Sequence, residues 1–420
     1  MSNSLKSPYY PYLIVCISTL ALVISNGLAI GGIPIFYKPI REEFTAIGAI
    51  DPHKAESFIA NGANLTFFMS GVFSMIGGWL ISRYSIKLIM VAGCLSLGAG
   101  LMIHSQSESA SSVYISRILM GVALGFVGVT PNVVLVSSWF EQGRGTALGI
   151  LLTGTSLGGV MIPLIAAPLI ESYGWRYSMV VLSLLVWVIL LPAIVLFVND
   201  KPQVNNGLDQ IDGKTKQGMT LVEAIRTPLF WAFGAAAALV FYPIFATSQQ
   251  FILYLQSPKI GVSLETAALA QSALFGVSVG GKFLAGYLSD KLSATRVILI
   301  FSGIMLIATL ILFDLTAGNA FYFLLPFGLG YGGTFVLLQR LAADYFGMRE
   351  YGKILGTITM IEIIGATIGG RITGYLADKA GGDYTEAFYG VVATTAAAFG
   401  CVLMLNLMKR GSHQEQLDFE

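Results

Sequence analysis

The chain has 420 residues, 55% hydrophobic and only 11% charged, with a formal net charge of +1. A soluble domain carries about 25% charged residues, so the composition excludes an ordinary water-soluble globule. The net charge by itself names no partner, and no nucleic-acid partner is expected.

Apolar stretches of about 20 residues, the length that crosses a hydrocarbon core, recur along almost the whole chain. The first covers residues 12–36 and eleven more follow at 57–82, 86–105, 112–139, 143–171, 176–198, 227–255, 265–290, 294–315, 319–345, 351–378 and 385–408. They are long and continuous rather than short and alternating, which selects helices over barrel strands. The expected fold class is an all-α membrane protein with twelve transmembrane helices. The first run follows Lys6 but is long and has no small-residue cleavage pattern before Lys38, so it is expected to be a retained helix rather than a signal peptide. Cys16, Cys94 and Cys401 fall inside predicted helices at scattered spacing, which suits neither a disulfide framework nor a metal site; they are expected to pack as small apolar residues.

Lysine and arginine should concentrate on the cytoplasmic side. With the N-terminus inside, the inner segments carry fourteen basic residues and the outer segments six, so both termini are expected in the cytoplasm. The other four, Arg117, Lys282, Arg340 and Arg371, lie within helices. One long polar stretch, residues 199–218, is rich in Asn, Gly, Asp and Lys and behaves as a linker. The organisation expected is a six-helix bundle over 1–198, a cytoplasmic linker over 199–225, a second six-helix bundle over 226–410 and a cytoplasmic tail over 411–420.

The halves echo each other, as in transporters built from repeats. The second span ends G-W-L-I-S-R at Arg83 and the eighth ends G-Y-L-S-D-K at Lys291. The fifth holds T-G-T-S-L-G-G and the eleventh I-G-A-T-I-G-G, so the pairs Gly154/Gly158 and Gly365/Gly369 fall at matching places. Glycines spaced i, i+4 let helix backbones approach closely.

With these features the sequence resembles the major facilitator superfamily, which implies two six-helix bundles around a central cavity. The stretch G-Y-L-S-D-K-L-S-A-T-R, from Gly286 to Arg296, is similar to the superfamily's loop between its second and third helices; the first half has Ser82 in place of the aspartate. R-I-L-M-G-V-A-L-G, from Arg117, resembles the helix-four arginine motif. E-A-I-R-T-P-L-F-W, from Glu223 to Trp231, is similar to the opening of the seventh helix in oxalate/formate antiporters and bacterial monocarboxylate carriers, and D-Y-F-G, Asp344 to Gly347, fits the same branch. That branch implies a cell inner (plasma) membrane, a small organic anion as substrate, protons as coupling ions, the lipid bilayer as solvent and a monomeric carrier.

An ionisable side chain at mid-membrane costs at least about 2.5–3.5 kcal/mol and tends to mark a pathway. Lys282 stands eight residues before Asp290, about 12 Å along a helix. In the resembling branch this position holds an arginine that binds substrate carboxylate. Lysine keeps the charge but loses the bidentate clamp. The alternative is snorkelling to the inner surface, for which its stem is short. Glu362 stands eleven residues after Tyr351, about 16 Å into its helix; a carboxyl group in a poorly solvated cavity can carry a proton. It is expected as the proton-coupling site and as the partner of Lys282 when no substrate is bound, or else as a structural group. Arg340 lies beside Gln339 and one turn before Asp344, so it either contacts substrate or forms a salt bridge. Asn26, Asn132, Tyr242, Gln249 and Gln250 are further candidates to orient a substrate, each with interhelical hydrogen bonding as the alternative. Arg117, Asp290 and Arg371 are expected in structural or gating roles. The branch's lysine in the first helix is absent; Gly31 is there, and Lys38 lies at the outer mouth.

His53, His104 and His413 are expected in loops or the tail, and no phosphate-binding glycine loop or metal spacing is present, so no catalytic group, metal or cofactor is expected. The reading is a secondary transporter that carries a monocarboxylate with a proton, its halves rocking about a midplane site. Two alternatives stay open: an exporter of amphipathic compounds, and a membrane receptor that does not transport.

Overall fold

The computed structural model describes residues 9–51, 55–199, 218–257, 259–316 and 319–417. Helix α1 (Tyr10–Asn26) passes through a π-helical turn, Gly27–Gly31, and a 3-10 turn, Ile33–Phe36, into α2 (Tyr37–Ala46). Then come α3 (Ala55–Ile81), α4 (Ile86–Ser105), α5 (Ala110–Val127), α6 (Val129–Trp139), α7 (Arg144–Leu184) and, after a π-helical stretch, α8 (Leu191–Phe197). The second half holds the short α9 (Leu221–Ile225), α10 (Pro228–Gln256), α11 (Leu264–Lys291), α12 (Ala294–Ile311), α13 (Ala320–Phe346), α14 (Tyr351–Lys379) and α15 (Thr385–Leu417).

Two interruptions have local chemical causes. Helices α5 and α6 part at Gly128. Pro131 has no N–H to offer the carbonyl of Val127 four residues earlier, and Asn132 replaces it: its side-chain Nδ2 donates to Val127 O at 2.8 Å and to Gly128 O at 2.7 Å. The 41-residue α7 is two helices meeting at Gly174, whose φ of 80° is open to glycine and strained for other residues. Among the described residues ten segments are long and apolar enough to cross a membrane, and the 54-residue Arg144–Phe197 among them is such a pair. Helix α11, at 28 residues, is also long enough to span, though it carries Lys282. These segments make up the expected twelve-helix, all-α membrane fold.

Large apolar side chains stand on the outside, among them Leu88, Leu164, Ile307 and Leu325. In water such a surface would aggregate; in lipid it is the solvated face, while the backbone satisfies itself within each helix. Inside, packing depends on close approach. A Cβ at Gly154 or Gly158 of α7 would collide with the carbonyl oxygens of Thr19 and Val23 of α1. A Cβ at Gly365 or Gly369 of α14 would collide with those of Ala238 and Tyr242 of α10. The two glycine pairs thus do the same work at matching places in the chain.

Two compact units result, one of residues 1–217 with 348–360 and the other of 218–347 with 361–420. In the first, α3 and α4 pack on α5, and α1 packs on α7. In the second, α11 and α12 pack on α13, and α10 packs on α15. Most of the stretch expected as a linker lies outside the described residues. Its end is ordered: Met219 N donates to Phe346 O at 2.8 Å, and Thr220 and Glu223 form a reciprocal cap on α9. Helix α15 runs on to Leu417, within the stretch expected as a tail.

Replacing Gly158 or Gly369 by Val should cost about 1–3 kcal/mol by overpacking and lower the thermal midpoint of the purified protein by several degrees. Gly276→Ala, where a Cβ meets nothing within 4 Å, should leave it unchanged or raise it. Equal midpoints for all three variants would show that these approaches do not limit stability.

Candidate functional site

The candidate site lies in the second unit and is built on α13. Residues Tyr331, Phe335 and Gln339 are spaced four apart, so they form one stripe along that helix. Gly281 of α11 and Gly332 of α13 bring the two backbones together, a Cβ at Gly332 colliding with Ser278 O and standing 2.8 Å from Lys282 N. Lys282 therefore has α13 for a wall.

The side chain of Lys282 is 0% exposed. Its Nζ stands 5.2 Å from the centre of the Tyr331 ring and 4.9 Å from that of Phe335. Both are within the roughly 6 Å at which an aromatic face attracts a cation, an attraction worth about 2 kcal/mol or more when desolvated. More rings continue on either side: Phe275 packs on Tyr331 at 6.5 Å, and Phe241 on Phe335 at 5.4 Å.

Further along the same stripe, Gln339 Nε2 donates to both carboxylate oxygens of Glu362 on α14, at 3.1 and 3.4 Å. Glu362 is 2% exposed. One face of α13 thus supports a buried cation from α11 at one level and a buried acid from α14 at another. Chemically the pair offers an ammonium for an anion and a carboxyl group for a proton.

The other expected residues fall into different places. Arg340 Nη1 is ion-paired with Asp290 and donates to Ser289 Oγ at 2.8 Å, and its Nε reaches Asp344 Oδ2 at 3.5 Å. Of its two expected roles the salt bridge is the one formed, and it holds the end of α11 against α13. Asn132 spends its amide on the break between α5 and α6, as described above. Asn26 Nδ2 reaches Ser25 Oγ at 3.5 Å. The Tyr242 backbone receives Gly369, and its hydroxyl lies where a Cβ at Gly390 would be 3.7 Å away. Gln249 is exposed, with its side chain facing Gly370; Gln250 is half-buried and faces Gly374. Arg371 is exposed on α14.

Arg117 lies in the first unit and is 2% exposed, with its guanidinium 5.4 Å from the Tyr37 ring centre. Its Nε and Nη1 have no hydrogen-bond partner among the described residues. His104 departs from expectation. It stands in the last turn of α4, fully buried, with Nδ1 2.6 Å from Ser116 Oγ. Nearby, Glu43 accepts from Trp175 Nε1 at 2.5 Å and from Arg176 Nε and Nη2 at 3.0 and 2.8 Å. That cluster secures the residues just after the Gly174 break. His53 lies outside the described residues.

Tyr331, Phe335 and Gln339 were not among the expected site residues, yet they contact Lys282 and Glu362. Their four-residue spacing was the available signal, but aromatic residues at helical spacing more often belong to a core.

Compared with known proteins, the chain matches the sequence model of the Major Facilitator Superfamily over residues 15–360 and 251–418. The chain belongs to that superfamily, and is a multi-pass membrane transporter rather than an enzyme. It is 26% identical over 352 residues to the MFS transporter asaE of Aspergillus flavus, covering 83% of this chain and 77% of the relative. It is 24% identical over 368 residues to the agnestins efflux protein AgnL12 of Paecilomyces divaricatus, covering 84% and 81%. Among solved structures, the human organic anion transporter MFSD10 (TETRAN) superposes with a TM-score of 0.73 at 13% identity, over 94% of this chain and 100% of that one. At that identity the match concerns the fold.

Arg340→Gln and Asp290→Asn should each destabilise the protein, and a double-mutant cycle should give a coupling of about 0.5–3 kcal/mol. Additive effects would remove the ion pair from the account of how α11 is anchored.

Proposed function

We propose that the protein carries a small organic anion, a monocarboxylate, across the membrane by alternating access, with a proton as the coupling ion. The observation that carries this reading is Lys282, a fully buried ammonium seated against the aromatic rings of Tyr331 and Phe335. A cation buried in a lipid-dissolved protein tends to mark a substrate pathway, and an ammonium offers a carboxylate a point charge rather than a two-pronged clamp. Glu362 supplies the second half. Its carboxyl group, buried beside Gln339, takes the proton that accompanies the anion, so that the cargo crosses as an electrically neutral pair. Arg340, Asn132 and Arg371 are left out of the substrate shell because of the partners and exposure described above.

The distribution of lysine and arginine supports an orientation with both termini in the cytoplasm, and the carrier is taken to act in the cell inner membrane. A second reading, export of larger amphipathic compounds, is favoured by the aromatic wall around Lys282 and by the similarity to the agnestins efflux protein.

The test is uptake of labelled organic acids into proteoliposomes with and without an inward proton gradient. Lys282→Gln should abolish saturable uptake. Glu362→Gln should retain exchange of substrate for substrate but lose stimulation by the gradient. Unimpaired uptake by the Lys282 variant would sink the anion assignment, and stimulation that persists in the Glu362 variant would exclude that residue as the obligatory proton site.

A further inference from the structure

A continuous belt of five rings runs through the second unit. Phe275 of α11 contacts Tyr331 (6.5 Å), Tyr331 contacts Phe335 (6.2 Å), Phe335 contacts Phe241 of α10 (5.4 Å), and Phe241 stacks on Phe245 (6.0 Å). The Lys282 ammonium sits over the middle of this belt, on Tyr331 and Phe335. Burial is graded along it: Phe241, Tyr331 and Phe335 are buried, whereas Phe275 and Phe245 at the two ends are half-buried.

From this arrangement we infer that the substrate is a carboxylate with an aryl or extended alkyl body, and that Phe275 and Phe245 set that specificity. The inference rests on the organic-anion reading above and narrows it. An acid whose carboxylate reaches Lys282 Nζ must lay the rest of the molecule against ring faces, because the two flanking ring centres are only 4.9 and 5.2 Å from that nitrogen. A two- or three-carbon acid is polar almost to its end. It would exchange water for apolar walls with little apolar area to gain. A phenyl or long alkyl body buries its own surface and, if aromatic, adds offset or edge contacts with the belt. The inner rings have a second duty in supporting the ammonium. The end rings are half-buried, and as the least enclosed members of the belt they are the ones we assign to the substrate body.

Competition against labelled phenylacetate, with the full-length protein in nanodiscs, tests this using acetate, lactate, phenylacetate and octanoate as probes. Phenylacetate and octanoate should bind at least about tenfold tighter than lactate or acetate, and Lys282→Gln should lose all of them. Phe275→Ala and Phe245→Ala, checked for an unchanged thermal midpoint, should weaken phenylacetate about tenfold and leave lactate as it was; Phe275→Leu, which restores apolar bulk, should recover octanoate. If lactate binds as tightly as phenylacetate and still depends on Lys282, the belt only supports the lysine and the inference fails while the anion reading stands. If no acid binds in a Lys282-dependent way, the two fall together.

Discussion

A buried positive charge in a protein dissolved in lipid is the constraint on which the candidate site depends. An ammonium withdrawn from water loses several kcal/mol of hydration that the protein must offset. Part of the offset comes from two ring faces, set one turn apart on α13 and brought within reach because Gly281 and Gly332 let α11 and α13 touch backbone to backbone. Further toward the end of α11, the Arg340 and Asp290 pair fixes the same two helices. In the proposed reading this lysine is the group that meets an anion and releases it during the cycle.

The two units share packing and differ in chemistry. Gly154 and Gly158 admit α1 as Gly365 and Gly369 admit α10, so the architecture is set twice by the same small-residue device. The buried polar groups do not follow that repetition. In the second unit they include Lys282, Glu362 and Gln339, arrayed along α13. In the first unit they include Arg117, lying against Tyr37, and the His104 and Ser116 contact, with the half-exposed ion pair of Glu43 and Arg176 nearby. Packing is conserved between the halves of this chain because two apolar helices can approach closely only where side chains are small. Charge is free to diverge because each buried ion needs only its own local partner.

How much of this was legible in the sequence follows from the range of each interaction. Hydropathy alone placed most spans to within one or two residues, because a hydrocarbon solvent imposes length and composition together. The glycine pairs were readable for a similar reason: their spacing is local and their effect is steric. Lys282 and Glu362 were visible as charges in the wrong solvent. What hid from the sequence was partnership over distance. Arg340 was read against Asp344, four residues on, while its ion pair with Asp290 joins residues 50 apart. Gln339 was noticed only as a neighbour of Arg340, and its bond to Glu362 crosses between helices. Asn132 was a candidate to orient substrate, with interhelical hydrogen bonding as the alternative; its amide donates to the carbonyl that Pro131 leaves without a donor, a local duty that the adjacent proline announces once the helix break is known. His104 was placed in a loop because it closes a helix; only its contact with Ser116 on the next helix shows that it is buried.

The most direct measurement of the central claim is a structure of the protein with 4-bromophenylacetate, in which the bromine is located by its anomalous scattering. The account predicts the carboxylate on Lys282 Nζ and the bromine against the ring of Phe275 or Phe245. A ligand ordered elsewhere, with Lys282 still seated on Tyr331 and Phe335, would contradict it and leave the lysine as part of the scaffold.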